Sequence, residues 1–146
     1  MEIFLAHLEH LEEVSRLFDQ YRTFYRQPSD LKAATQFLQE RFQKNDSIIF
    51  LASDRGKMVG FTQLYPSFSS VSMKQVWILN DLFVEETSRK KGIAKLLMDA
   101  AEDFARQTKA IRIVLATQTF NLAAQSLYKS RGYTKDDEFE HYTLHL

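Results

Sequence analysis

The chain contains no cysteine. That excludes disulfides, thiolate metal sites and any covalent route through an acetylated cysteine. Proline occurs twice and glycine four times, so Gly/Pro-rich linkers and long disordered tracts are not expected. No apolar run approaches the roughly 18 residues of a membrane span. The N-terminus also lacks the basic segment, apolar stretch and small-residue cleavage site of a secretory signal. The expectation is a soluble, cytoplasmic protein with no membrane partner. A surplus of charge is missing too. The 19 basic and 19 acidic residues cancel, whereas a general nucleic-acid binder carries a basic excess, so no nucleic-acid partner is expected. Neither the Walker A phosphate loop nor the G-x-G-x-x-G dinucleotide pattern occurs.

What is present is enough apolar material for one core: 146 residues, 45% of them hydrophobic, read as a single domain over 1–146. Residues 2–6 open as a strand. Leu8, Leu11, Val14, Leu17, Phe18, Tyr21 and Tyr25 then recur at helical steps. Pro28-Ser29-Asp30 ends that helix and caps a second over about 30–43. Residues 47–53 and 57–65 read as a hairpin around Asp54-Arg55-Gly56, followed by a polar loop at 67–72. A strand at 75–84, a helix at 91–108 and a buried-type strand at 111–116 form a parallel crossover. A short helix at 121–131 and a final strand at 138–146 complete the chain. The fold class is α/β: a mixed sheet with antiparallel N-terminal strands, a central parallel β-α-β crossover and a C-terminal strand, with helices on both faces.

The most informative stretch is VWILNDLFVEETSRKKGIAKLLM, residues 76–98. An apolar strand ends at Val84, and Arg89-x-x-Gly92-x-Ala94 delivers the chain onto a helix N-terminus. Unpaired N–H groups and the helix dipole there favour an anion. Gly92 admits close approach, Ala94 keeps the next turn narrow, and Arg89, Lys90, Lys91 and Lys95 add cationic side chains.

R-x-x-G-x-A after a strand resembles the pyrophosphate-binding motif of the GCN5-related N-acetyltransferases. A second motif of that superfamily is matched by Asn121-Leu-Ala-Ala-Gln-Ser-Leu-Tyr128-Lys-Ser-Arg-Gly132-Tyr133. The segments YRTFY, FTQLYPSFSS and LNDLFV look most like bacterial relatives of yeast Hpa-type histone and polyamine acetyltransferases. The resemblance implies acetyl-CoA as co-substrate, no metal, a homodimer, and a small amine, polyamine or lysine side chain as acceptor. It implies that Arg89 to Lys95, including Ile93, hold the pyrophosphate and that the backbone of Leu82, Phe83 and Val84 holds the pantetheine arm. It gives Asn121 a cofactor contact and makes Tyr128 the general acid. Ala124 lies between those two, small enough for close approach.

The chemistry is consistent with those assignments. A phenol stays protonated at neutral pH and can donate to a departing thiolate. Amide N–H groups near Leu82 would polarise the thioester carbonyl. A primary amine must lose a proton before it attacks, and a carboxylate helps. The pattern L-E-D-x-F-V of polyamine-type relatives reads Leu79-Asn80-Asp81-Leu82-Phe83-Val84 here, so an amide replaces the glutamate. Asp81 either takes the proton in its stead or anchors a neighbouring loop. Tyr21, Arg22, Phe24, Tyr25, Tyr65 and Phe68 could line the acceptor pocket, because aromatic faces attract ammonium groups; Tyr25 and Tyr65, which carry polar handles, and the neighbouring Asn80 are the leading candidates. His7 and His10 near the first helix, and His141 and His145 on the final strand, lack the further ligands a metal site needs. The alternatives are a non-catalytic acyl-CoA sensor and a nucleic-acid-associated protein using the basic loop.

Overall fold

The computed structural model describes all 146 residues, which fall into two compact units, Met1–Leu115 and Ala116–Leu146. The first holds a five-stranded sheet in the order β1-β2-β3-β4-β5. Its strands are β1 (Glu2–Leu5), β2 (Ile48–Asp54), β3 (Lys57–Ser69), β4 (Lys74–Val84) and β5 (Ile113–Val114). The first three pairings are antiparallel and β4–β5 is parallel, as the crossover requires. Helices α1 (Leu11–Phe24) and α2 (Leu31–Lys44) precede the hairpin, and α3 (Ile93–Gln107) joins β4 to β5.

Period-two alternation along β2 sorts the core onto two faces. Ile49 and Leu51, with Phe61 of β3 and Phe83 of β4, meet Val14 and Leu17 of α1 and Leu38 of α2. Phe50 faces the other way, where its ring meets Phe104 of α3 at 5.9 Å, and Trp77 meets the same ring at 5.2 Å. Helices therefore cover both faces. Each fully buried Leu or Phe side chain contributes about 1.5–3 kcal/mol of transfer free energy.

Side-chain bonds set the helix boundaries. The Asp19 carboxylate accepts from Ser29 Oγ at 2.6 Å and from the Asp30 N–H at 2.8 Å. Asp30 then caps α2 by accepting from the Ala33 N–H at 3.0 Å. Glu85, just past β4, pairs with Arg16 of α1 at 2.8 Å and with Lys57 of β3 at 3.4 Å. Arg16 also donates to the Met58 carbonyl, so α1 is fastened to the hairpin through one guanidinium.

Three expectations need correction. The loop placed at 67–72 is shorter, because β3 pairs with β4 out to Ser69↔Lys74. The strand placed at 111–116 reduces to Ile113–Val114. Ile111 and Arg112 bond Gln75 and Trp77 of β4, and the ladder stops at Ile78↔Val114. The final strand at 138–146 does not form. A strand exists through its ladder. At the position where this one would begin, the Asp136 carboxylate accepts the N–H groups of Glu138 at 2.9 Å and Phe139 at 3.3 Å. These bonds close a turn, and the alternating residues beyond it, Tyr142 and Leu144, stay exposed.

In the second unit, α4 (Leu122–Ser130) is bounded by its own motif residues. Asn121 caps it, accepting from the Ala124 N–H at 3.1 Å. Gly132 at φ +90° ends it: its N–H bonds the Lys129 carbonyl and the Tyr133 N–H bonds the Tyr128 carbonyl, both at 3.1 Å. The rings of Tyr128 and Tyr133 stand 6.1 Å apart. That is the paired-bond helix stop with its accompanying ring contact, and it needs a residue able to take a positive φ where Gly132 stands.

Candidate active site

The segment after β4 leaves a run of backbone donors free. Gly92 is the N-cap of α3 at φ +79° and offers no side-chain acceptor to the helix. None of the N–H groups from Lys90 to Lys95 has an acceptor in the protein; the first bond of the helix is Leu96 N–H to the Gly92 carbonyl at 3.2 Å. Lys90 is itself held at φ +64°, a conformation that costs a non-glycine residue energy. A Cβ placed on Gly92 would project into open space, so the backbone there is open to a ligand. Lys90, Lys91 and Lys95 are exposed around it, whereas Ile93 is buried in the core and Ala94 half-buried. Six consecutive free donors at a dipole's positive end, ringed by three lysines, fit a pyrophosphate.

Arg89 sits differently from its lysine neighbours. Its Nε donates to the Val84 carbonyl at 2.9 Å, and its guanidinium lies over the rings of Phe24 at 5.0 Å and Phe83 at 5.7 Å. The side chain expected to face the anion is folded back onto the end of α1, and one carbonyl expected to hold pantetheine already has a partner. The rest of that strand edge is open. β5 pairs only with Trp77 and Ile78, so from Leu79 to Val84 the one ladder partner of β4 is β3.

On the face covered by α1, a β-bulge between Gln63 and Leu64 pairs Gln63 with Asp81 and Leu64 with Leu79. Asn80 is the extra residue, and a bulge re-aims the side chains around it. Asp81 is 5% exposed. Its Oδ2 accepts from Gln63 Nε2 at 2.9 Å and its Oδ1 from Asn80 Nδ2 at 3.2 Å, while its backbone carbonyl accepts from Thr62 Oγ1 at 2.8 Å. Asp81 therefore ties β3 to β4 and to α1; its bonds reach no loop. Burial first, then the charge of Asp81 and a hydrogen bond to it, hold the Tyr21 phenol far above its usual range. Burial, followed by Asp81, pushes Tyr65 up to about 12. Tyr25 ends α1, half-exposed, with its ring 5.0 Å from that of Tyr21.

The first unit thus gathers Asp81, Asn80 and Tyr65 of the predicted residues. Tyr21, a pocket candidate on aromatic grounds, also bonds Asp81, as does Gln63, which the sequence reading does not name. Gln63 had a signal in the sequence: it is a polar residue on the apolar parity of β3, two positions after Phe61. In the second unit, Asn121 uses its side-chain oxygen to cap α4, and Ala124 supplies the N–H it caps.

A family model described as the acetyltransferase (GNAT) family matches residues 11–133. An uncharacterized N-acetyltransferase of Bacillus subtilis is 49% identical over 91% of this chain and 89% of its own length. A crystal structure of a probable acetyltransferase superposes with a TM-score of 0.95 at 43% identity, covering 100% of this chain and 98% of that one. An aminoglycoside N-acetyltransferase in complex with CoA shares the fold, with a TM-score of 0.81 at 20% identity over 99% of this chain and 95% of its own.

The Tyr65 environment sets a measurable pH dependence. A phenol pKa raised on folding favours the folded state below the ordinary value near 10, and that contribution is lost as pH rises through about 12. An ultraviolet phenolate titration of the folded protein should show a step at about 12 that Tyr65→Phe lacks. The variant should also lose less stability between those two pH values. A step at the ordinary phenol pKa would contradict the buried, anion-facing placement.

Proposed function

The chain belongs to the GNAT acetyltransferase family and is an N-acetyltransferase, and from that membership we propose that it moves an acetyl group from acetyl-CoA to a primary amine in a ternary complex. The observation that carries the cofactor assignment is the run of six N–H groups without acceptors at the start of α3. Lys90 to Lys95 hold the pyrophosphate, and the open edge of β4 from Leu82 receives the pantetheine amides. Acetyl-CoA supplies the activated thioester.

The acceptor arrives protonated, and deprotonating a primary amine at pH 7 costs roughly 4–5 kcal/mol. Asp81 takes that proton, directly or through one water. Its position on the stretch of β4 that β5 leaves unpaired supports the role, since the amine has to meet the thioester beside that open edge. The freed amine attacks the thioester carbonyl, forming the C–N bond as the C–S bond breaks, and the acylated nitrogen then loses its surplus proton to water, from which the Tyr128 phenol is restored after it protonates the sulfur. Tyr128 donates its phenolic proton to the leaving sulfur, by the role the family motif gives that residue. Tyr25 and Tyr65 line the acceptor's approach.

Two variants test this reading. Acetyl-CoA should raise the melting temperature, because it binds only the folded state. Gly92→Glu should abolish that shift, measured against the variant's own ligand-free melt, since a carboxylate would meet the phosphates; an unchanged shift would remove the anion site from this loop. Tyr128→Phe keeps the ring and deletes the donor. Its turnover should fall by about 10²-fold with little change in acetyl-CoA affinity, and wild-type turnover in this variant would assign the acid elsewhere.

A further inference from the structure

β4 and the residue that follows it bring two buried acids into the first unit, Asp81 and Glu85, and the protein treats them differently. Glu85 has two cations, Arg16 at 2.8 Å and Lys57 at 3.4 Å. Asp81 has only neutral donors, from Gln63, Asn80 and Tyr21, and no lysine or arginine of the chain forms an ion pair with it. The arginines on neighbouring elements are engaged elsewhere: Arg16 with Glu85, Arg41 with Asp46 at 3.2 Å, and Arg89 with the Val84 carbonyl. A buried carboxylate with no cation is costly.

A second acceptor stands beside it. Gln63 is fully buried; its nitrogen is bonded to Asp81, and no group of the protein donates to its buried Oε1. The amide cannot be reversed, because its oxygen would then face a carboxylate. The oxygen and nitrogen of one amide are about 2.3 Å apart, so Oε1 lies within about 5 Å of the Asp81 oxygen. The Tyr21 ring, whose hydroxyl bonds Asp81, packs edge-to-face with Phe61 at 5.8 Å and Phe83 at 6.0 Å. Two adjacent acceptors, one of them charged and without a cation, call for a compact cation that carries several N–H donors.

We infer that Gln63 and Asp81 together recognise the acceptor's ammonium group, and that they select amines with no anionic group next to the nitrogen. The inference rests on the acetyltransferase reading and deepens it. Asp81 carries the charge. Gln63 is a specificity-determining residue: it fixes the carboxylate through Nε2 and accepts an ammonium N–H at Oε1. A free α-amino acid would bring its own carboxylate against Asp81, where no guanidinium or ammonium of the protein is available to take it. A terminal amine on an aliphatic chain has no such group.

The test uses the wild-type chain with saturating acetyl-CoA and follows thiol release. Alanine and alaninol share a carbon skeleton and differ in the carboxylate, and butylamine serves as a plain terminal amine. Alaninol and butylamine should exceed alanine in kcat/KM by about 100-fold or more, the scale of two like charges meeting at close range. Gln63→Met should raise KM for butylamine at least about tenfold while leaving KM for acetyl-CoA unchanged, a split that a general loss of structure would not give. Should that variant fail to fold, the wild-type panel decides alone. Equal use of alanine and alaninol would overturn this inference and leave the acetyltransferase reading in place. An unchanged butylamine KM in folded Gln63→Met would remove Gln63 from recognition. Absence of thiol release with every amine would overturn the acetyltransferase reading and this inference with it.

Discussion

The parting of β4 from β5 after Ile78 governs the rest of the molecule. A central strand bonded on both sides has no backbone to offer a ligand. Here the parallel ladder lasts two residues, Trp77↔Ile113 and Ile78↔Val114, and then β4 continues for six more with β3 as its one ladder partner. Those six residues carry Asp81 and lead directly to the six free N–H groups of the Lys90–Lys95 turn. The open strand edge therefore passes, through residues 85–89, to the run of free donors. The bulge opposite Asp81 belongs to the same constraint: it inserts Asn80 on the segment that has lost β5, and aims the acid at α1.

Electrostatics divide the first unit consistently. Positive charge gathers at the α3 N-terminus, from Lys90, Lys91 and Lys95 and from the free N–H groups of the turn. Negative charge gathers on β4 beneath α1, where Glu85 is neutralised by two cations and Asp81 by none. Arg89 links the two regions, since its guanidinium covers Phe24 at the end of α1 while its Nε bonds the last carbonyl of β4.

Local rules made much of this legible. Apolar periodicity located α1, α3 and β4 to within two or three residues, and the Arg55-Gly56 hairpin follows from the two residues that take positive φ. The turn of free donors was readable because Gly92 and its lysines are contiguous. What a linear reading misses is pairing. Nothing in Ile111–Ala116 states that its ladder ends after two residues. Nothing local in 138–146 states that Asp136 would close a turn at its start. The importance of Gln63 and Tyr21 arises only when β3, β4 and α1 converge on Asp81. Conversely, the sequence pattern around Asn121 and Gly132–Tyr133 reads as family motif, while the structure shows that the same residues also start and stop α4.

The central claim, that Asp81 receives the acceptor's proton, is tested most directly by the pH–rate profile of Asp81→Asn beside its melting curve. If Asp81 is the base, the rate loss is largest near neutral pH and shrinks under alkaline conditions, where free amine is abundant without help. A loss by the same factor at every pH, together with a lowered melting temperature, would mark Asp81 as structural and contradict the account.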